Sequence, residues 1–550
     1  MEGPVHPRPA GRGVVIESLL LAAVALVVLN FHPFGAAHLR RHFSQDLVYA
    51  WLGDAHWLYP RSSSAALGAR QQPRAVVVLV DDTALALRGA RWPVPIVFHA
   101  EMLAELEVLR PRAVMLDFLL IDRAAPEDAC ALLKTADRLR GDGIALYLAV
   151  ARREDLSSLE APHCLNDAGQ PLYPDRLLIP VSVRRQYDDA DFVSRRYPFG
   201  DINDNQAPSA GLLSAAVRMY CDATAARNRC AAELAGGRLP DAGFELAWSP
   251  AADPFNVRWS RTRCKQPPAQ TRAILGNGVL PRDSACPPIA TLFASALLSP
   301  AEDSGFGPRN EQLFDLLENS FVFVGGDFRG SGDLITTPMH TQLPGVYYHA
   351  AAFENLVAFD GKPKIREDYR SFKVGIYWYD LLVLWALAGI FLLRERWIAT
   401  VTLHGDEFFT PSASARAWLA KLIAHTPAVL SLTGLVMVAL MLATYPLLQV
   451  MGIVVAVVSW LLLEMLVLSR LELKVRLRAV AIYSAALGLS LAVVAFAVWF
   501  GYRWLRLPPG DWVGYLSFAI VGFFVAHGAI VDFGRHVGSL RAASHSGGRG

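Results

Sequence analysis

Aspartates and glycines follow several apolar segments that have the character of buried strands. Asp81 and Asp82 follow the first such segment, Asp117 follows the second, and Gly325 and Gly326 follow a later one. In open α/β sheets, ligands bind in the crevice outside the carboxyl ends of the strands. The carboxylates and the glycine turn therefore predict a site for a cation or a polar ligand. Aspartate at a strand end also caps the following helix or turn, and this structural alternative stays open.

Two histidines follow a further carboxylate. His340 and His349 lie shortly after Asp333, and imidazole and carboxylate are common metal ligands. His349 opens a stretch of helical character, so a packed or capping histidine is the alternative. The identity of any metal stays unassigned.

Motifs of nucleotide-binding and hydrolytic enzymes are missing from the sequence. The glycine-rich turn 325–333 is not followed by Lys-Ser or Lys-Thr, which excludes a P-loop, and no Gly-x-Ser-x-Gly occurs. The net charge of +2, from 52 basic and 50 acidic residues, gives no field that favours nucleic acid. We predict no catalytic residue, no cofactor, no enzymatic activity and no nucleic-acid partner. The enzymatic alternative, metal-assisted catalysis by Asp81, Asp82, Asp117 and Asp333, requires these carboxylates to converge.

Short apolar runs and one helical stretch must position these residues. Ile96 to Leu109 shows helical spacing between two continuous apolar runs, an order typical of a parallel sheet covered by helices. We predict an α/β domain with a mostly parallel sheet, flanking helices and Cys-bearing insertions at about 184–288, including strands around Asn256 to Trp259. The predicted sheet strands are 75–80, 113–116, 144–150, 177–183 and 321–324.

All the cysteines fall inside one hydrophilic block. They are Cys130, Cys164, Cys221, Cys230, Cys264 and Cys286. The sequence lacks the C-x-x-C and C-x-C spacings that would indicate a zinc site. We therefore predict disulfides and an oxidising compartment. Order along the chain suggests the pairs Cys130–Cys164, Cys221–Cys230 and Cys264–Cys286, each closing a loop inside a polar insertion.

Apolar segments on both sides of this block have the length of a bilayer crossing. They are 13–31, 376–393, 427–443, 448–468, 480–500 and 512–531. The Lys and Arg residues of the short loops, together with the cysteines, place both termini in the cytoplasm and the block in the periplasm. The predicted order is a cytoplasmic tail (1–12), a transmembrane anchor (13–31), a periplasmic domain (40–365), a five-span α-helical transmembrane bundle (376–531) and a short cytoplasmic tail (532–550). A cleaved signal peptide is the alternative for the first span.

Two segments of the block resemble the CHASE type 2 (CHASE2) sensor domain, an extracellular family found on bacterial adenylate cyclases and kinases. The opening, 76–120, carries Asp81-Asp82, the turn Gly89 to Pro93, His99-Ala100 and Asp117. The closing segment, 320–356, carries Gly325, Asp333, Thr337-Pro338, Pro344-Gly345 and His349-Ala350, and SRRYPF (194–199) and APSAGLLSAAV (207–217) resemble the family's middle. Ile96 departs from the family, which usually has Arg there, and we expect no cytoplasmic catalytic domain.

The resemblance implies a periplasmic sensor fold and adds an aromatic residue and a histidine to the candidate site. The candidate ligand-binding residues are then Asp81, Asp82, Trp92, His99, Asp117, Gly325, Gly326, Asp333 and His349. We expect a multi-pass sensor of the bacterial inner membrane that responds to an unidentified small periplasmic ligand or envelope condition. We expect it to contact the lipid bilayer, to form a homo-oligomer and to signal to a separate cytoplasmic partner. The alternative is a transporter, channel or membrane-complex subunit that the periplasmic domain gates or docks.

Overall fold

The computed structural model describes a large part of the hydrophilic block and a few segments outside it. The described residues are 45–46, 48–49, 74–120, 124–187, 192–201, 212–224, 243–249, 253–259, 287–299, 311–339, 343–364, 370–371, 376–377, 382–383, 385–387, 389–390 and 473–504. The chain divides into two compact units, one of residues 46–367 and the other of residues 1–45 with 368–550.

The strands and helices are numbered here in chain order. The strands are β1 (Ala75–Asp81), β2 (Ala113–Leu116), β3 (Ala145–Ala149), β4 (Leu178–Val181), β5 (Arg196–Tyr197), β6 (Gly200–Asp201), β7 (Leu212–Leu213), β8 (Phe244–Glu245), β9 (Ala290–Phe293), β10 (Phe321–Asp327), β11 (Leu334–Ile335), β12 (Leu343–Pro344), β13 (Arg370–Ser371) and β14 (Ile376–Tyr377). The helices are α1 (Asp82–Leu87), α2 (Ile96–Val108), α3 (Pro126–Gly141), α4 (Pro174–Leu177), α5 (Ala215–Ala223), α6 (Pro254–Trp259), α7 (Ala294–Leu298), α8 (Glu311–Leu317), α9 (Val346–Ala358) and α10 (Leu473–Trp504), with a 3₁₀ helix at Arg153–Leu159.

A parallel six-stranded sheet forms the centre of unit 46–367. Its order is β4-β3-β2-β10-β1-β9, so β10 enters late in the chain between β1 and β2. The predicted parallel α/β domain is therefore confirmed, with its five predicted strands. The sixth strand, β9, pairs with β1 and was not predicted.

Alternation along the strands divides the sheet into two faces. Val76, Val78 and Val80 belong to the apolar core that α2 and α3 cover. On the opposite face Phe353 of α9 stacks on Phe321, with ring centroids 4.5 Å apart, and α5 packs against α9. Helices thus cover both faces, as the continuous apolar strands require.

The strands predicted around Asn256 to Trp259 are wrong, because this segment is helix α6. The helix begins with Pro254, a residue favoured at the first helical position. Asp253, directly before it, accepts a hydrogen bond from the Phe255 N–H at 2.8 Å. This side-chain cap satisfies a donor that a helix start leaves unpaired, so the local signal is that of a helix.

The second half of the predicted fold class, a six-span helical bundle, is also corrected. A crossing needs about 20 consecutive apolar residues in a helix, and no helix among the described residues combines that length with that apolar character. Of the predicted spans, 13–31, 427–443, 448–468 and 512–531 lie outside the described residues. Segment 376–393 begins not as a helix but as β14, which pairs antiparallel with β13. Segment 480–500 lies in α10, whose side chains are described from residue 488 to 504.

One disulfide of the predicted set is confirmed in full. Cys130 and Cys164 are bonded across 34 residues of sequence. Cys221 is also in a disulfide, and the remaining cysteines lie outside the described residues. The prediction that the Cys130–Cys164 bond closes a loop inside an insertion is wrong. It joins α3, a helix of the main core, to the segment between β3 and β4, where Cys164 is buried.

Candidate functional site

The three predicted strand-end aspartates lie at the carboxyl edge of the sheet, but their surroundings differ. Asp81 accepts a hydrogen bond at 3.2 Å from the N–H of Ser295 in the first turn of α7. Asp82 is exposed and accepts one at 3.2 Å from the Arg329 N–H. Both carboxylates thus accept a hydrogen bond from a backbone N–H. Asp81 caps α7 in this way rather than α1, the helix that follows it. Asp117 differs because its side chain is only 7% exposed.

Asp117 extends β2 by one residue and faces α9. Its N–H donates to the Val324 carbonyl of β10 at 2.8 Å, which continues the ladder. Its carboxylate Oδ2 lies 3.8 Å from Nε2 of His349, and the two side chains are 7% and 1% exposed. Both atoms are buried without a hydrogen-bond partner among the described residues. The structure therefore brings together two of the predicted site residues, although they are 232 positions apart in the sequence.

The other nitrogen of His349 contacts a tyrosine that was not predicted. Nδ1 of His349 lies 2.7 Å from the hydroxyl oxygen of Tyr197, which in turn accepts a hydrogen bond from the Ala216 N–H at 3.1 Å. We assign the tautomer in which the Tyr197 hydroxyl donates to Nδ1, because the Asp117 carboxylate favours an N–H on the opposite ring nitrogen. His349 then carries its proton on Nε2, the atom that faces Asp117.

Glycines allow α9 to lie close enough to the sheet for this contact. A Cβ on Gly325 of β10 would lie 2.5 Å from Cβ of Val346, the first residue of α9. A Cβ on Gly345 would lie 2.5 Å from the Asp333 carboxylate. Gly325 is therefore a packing glycine beneath α9, and it positions His349 without contacting a ligand itself.

An ion pair interacts electrostatically with Asp117 and His349. Arg185 pairs with Asp333, and the two side chains are 18% and 27% exposed. Burial raises the pKa of the Asp117 carboxyl to about 6, and the positive charge of Arg185 opposes this increase. Burial, reinforced by Arg185, lowers the pKa of His349 to about 3. Asp117 and His349 are thus perturbed in opposite directions, which is frequent at functional sites.

The remaining predicted residues lie on the other face of the sheet. His99 of α2 is completely buried, and its ring packs on Phe118 with centroids 4.6 Å apart. Neither ring nitrogen has a hydrogen-bond partner among the described residues. Burial lowers the pKa of His99 to about 4. Trp92 is 55% exposed and stacks on Phe328, whose ring also covers Gly326.

The predicted nine residues therefore form no single crevice. Asp117, Asp333 and His349 join Arg185 and Tyr197 on the α9 face, whereas His99, Trp92 and Gly326 lie on the α2 face. Among the described residues no group of three or more His, Cys, Asp or Glu side chains is placed to hold a metal ion. Tyr197 lies in SRRYPF, a segment that resembles the family, so the resemblance could have identified it as a site residue. No sequence pattern points to Arg185.

The unit thus consists of a parallel sheet with helices on both faces and a buried polar cluster, in which burial raises the pKa of Tyr197 well above the ordinary value. The family model of the CHASE2 domain matches residues 21–392, more than half of the chain. The chain therefore belongs to the CHASE2 family, a family of extracellular or periplasmic sensor domains. No curated protein and no solved structure matches the chain.

Proposed function

We propose that this protein is a multi-pass sensor of the bacterial inner membrane that signals to a separate cytoplasmic partner. Its α/β domain lies in the periplasm, where Cys130 and Cys164 are oxidised, and its apolar segments contact the lipid bilayer. The stimulus acts on the cluster of Asp117, His349 and Tyr197. The receptor self-associates, and it catalyses no reaction of its own.

The observation that carries this proposal is a two-stranded ribbon, β5 with β8, which we call the output ribbon. Tyr197 is the second residue of β5 and pairs with Phe244 of β8. Helix α9 also contacts the segment directly after β8, because Asn355 accepts from the Ala247 N–H at 2.8 Å and donates to the Ala247 carbonyl at 3.1 Å. A change at His349 therefore acts directly on the ribbon.

The output ribbon also holds both ends of unit 46–367. Arg195, directly before β5, forms a bidentate ion pair with Asp46 at 3.1 and 2.7 Å, and both side chains are 3% exposed. Glu245 of β8 donates its N–H to the Lys364 carbonyl at 2.8 Å. The two segments that leave the domain are thus fastened to the strands that carry Tyr197. This arrangement is what a domain needs to transmit a change from its interior to its ends.

The test uncouples one end from the ribbon and measures partner recovery. In the double variant Asp46→Leu/Arg195→Met, apolar residues replace the buried ion pair, a change that is often neutral for stability. The matched control is Arg138→Gln on α3, which removes a partly exposed ion pair with Glu107 of α2. The full chain is cross-linked in cells, purified in mild detergent and analysed by mass spectrometry.

We expect wild type and Arg138→Gln to retain the same cytoplasmic partner and the double variant to lose it. Equal recovery from all three chains contradicts transmission through the ribbon. Recovery of no partner, together with ion flux through the reconstituted protein, contradicts the sensor function and favours a transporter.

A further inference from the structure

We propose that the Asp117–His349 pair is a proton-binding switch, in which uptake of one proton joins the two side chains and turns the Tyr197 hydroxyl away from His349. This inference rests on the proposed sensor function and names its stimulus, the acidity of the periplasm. The output ribbon then carries the change to residues 46 and 364.

The geometry of the pair is that of a hydrogen bond left unmade. Oδ2 of Asp117 and Nε2 of His349 are 3.8 Å apart, beyond hydrogen-bond distance, and neither has another partner among the described residues. Leaving a buried polar atom unpaired destabilises the fold. The side chains are 7% and 1% exposed. A proton can bind between them because it needs no cavity.

Proton positions before uptake follow from the hydrogen bonds. Ala216 donates to the Tyr197 oxygen, Tyr197 donates to Nδ1, and Nε2 holds the imidazole proton. The carboxylate is ionised and the imidazole is neutral, so the pair has a charge of −1. This state makes one strong contact, with Tyr197, and leaves the gap to Asp117 open.

One proton from solvent changes two contacts at once. With a proton shared between Oδ2 and Nε2, the second imidazole proton lies on Nδ1 and points at the Tyr197 oxygen. That oxygen then accepts from both Ala216 and His349, so the Tyr197 O–H can no longer donate to Nδ1 and must find another acceptor. The charge of the pair rises from −1 to 0, and no other bond forms or breaks.

The groups that face the pair set the acidity at which this happens. They are Arg185 from the segment after β4, Tyr197 of β5, Asp333 before β11 and Tyr348 of α9. Arg185 favours the ionised carboxylate, but Asp333 pairs with it, and burial keeps the pKa of Asp117 at about 6. Uptake by the pair therefore falls in the mildly acidic range.

Infrared difference spectroscopy of the full chain between about pH 8 and about pH 5 tests proton uptake. We expect a carboxylic-acid C=O band or a perturbed imidazole band to appear in wild type and to be lost in Asp117→Asn. The control, Asp81→Asn, removes a strand-end carboxylate that hydrogen-bonds to backbone, and it should keep the difference band. A wild-type spectrum without such a band, or a band that Asp117→Asn retains, overturns the inference.

Hydrogen–deuterium exchange tests the consequence at the ribbon. After correction for intrinsic exchange, peptides that cover 192–201 and 243–249 should exchange several-fold faster at about pH 5 than at about pH 8. Tyr197→Phe should keep the infrared band and lose this acid-dependent exchange. Unchanged exchange in wild type overturns the switch.

Failure of the switch and failure of the sensor function give different results. If acidity leaves the pair and the ribbon unchanged but Asp46→Leu/Arg195→Met still loses its partner, the stimulus is wrong and the sensor function stands. If the pair takes up its proton and moves the ribbon but no chain recruits a partner, the switch stands and the sensor function fails.

Discussion

His99 and His349 are both buried completely, on helices that cover opposite faces of one sheet, yet their surroundings differ. His349 faces a carboxylate and accepts a hydrogen bond from Tyr197. His99 packs on Phe98 and Phe118, and in the part of the chain that the structure describes both of its nitrogens lack a hydrogen-bond partner. Burial lowers the pKa of each. The comparison shows that burial alone lowers the pKa of a histidine, and that only His349 has a titratable neighbour to which a proton can couple it.

Proton counts make the difference quantitative. A histidine whose folded pKa is lowered stabilises the fold fully above its unfolded pKa, and this stabilisation is lost as the pH falls through the folded value. Asp117 has the opposite sign, because its folded pKa is raised. Between about pH 6 and about pH 4 the unfolded pair holds one proton, on His349, and the folded pair also holds one. The pair therefore contributes little pH dependence in this range, and His99 contributes that of one proton.

The largest expected effect is on His99→Phe under acid conditions. The pKa of His99 falls from 6.5 to about 4 on burial, so wild type loses about 3 kcal/mol of stability as the pH falls across this interval. His99→Phe should abolish that loss, because packing changes are independent of pH. Denaturant titrations of the full chain at a series of pH values measure the effect. His163→Asn, which removes an exposed histidine in the left-handed region at φ 75°, should retain the wild-type acid loss; an equal improvement in both variants would contradict the assignment to His99.

Asp117→Asn should raise stability at neutral pH. Burial raises the pKa of Asp117 from 3.8 to about 6, so the ionised carboxylate destabilises the fold by up to about 3 kcal/mol above that pH. The gain should shrink as the pH falls through about 6 and vanish below about pH 4, because the wild-type carboxyl is then protonated in both states. Unfolding free energies from the same titrations give the curve. A gain that persists unchanged in acid would mean that the substitution acts through packing.

Much of the parallel sheet follows from sequence because its strands are continuous apolar runs. The runs at 113–116 and 321–324 lie in β2 and β10, and the helical spacing at 96–109 lies in α2. Strand β9 was not predicted because Ala290–Phe293 is a short segment at the edge of the sheet. The segment at 254–259 was assigned to strands because the cap at Asp253 was overlooked.

The candidate site was harder to predict because side chains on alternate strand positions point to opposite faces. The residues after β1, β2 and β10 share one edge of the sheet, but the alternation of side chains along a strand places Asp117 and Gly326 on opposite faces. Arg185 and Tyr197 reach the cluster from segments joined by long-range contacts, which no local pattern encodes. Sequence reasoning therefore located the edge of the sheet, and the three-dimensional fold was needed to identify which side chains meet.

Tyr197→Phe should destabilise the fold by about 2 kcal/mol, because both the Ala216 N–H and His349 Nδ1 lose their partner. The loss should be smaller when His349 is also changed to Phe, since the hydroxyl then has one partner fewer to lose. A double-mutant cycle from denaturant titrations measures this coupling. Tyr347 lies on the same helix as His349, and Tyr347→Phe, which removes a hydroxyl contact with Thr291 of β9, should show no coupling with His349. Additive losses of unfolding free energy for Tyr197 and His349 would contradict the energetic coupling between the Asp117–His349 pair and the output ribbon.

The smallest effect should also be the most discriminating, because the same substitution should have opposite signs at the two histidines at neutral pH. His99→Phe removes two unpaired nitrogens and should gain about 1 kcal/mol, whereas His349→Phe takes the acceptor from the Tyr197 hydroxyl and should lose about 1 kcal/mol. Thermal or denaturant unfolding of the two variants in parallel measures the pair of signs. Two gains would mean that the contact with Tyr197 adds nothing to the fold. Two losses would mean that His99 has a partner of its own, and the contrast between an isolated and a coupled histidine would then be wrong.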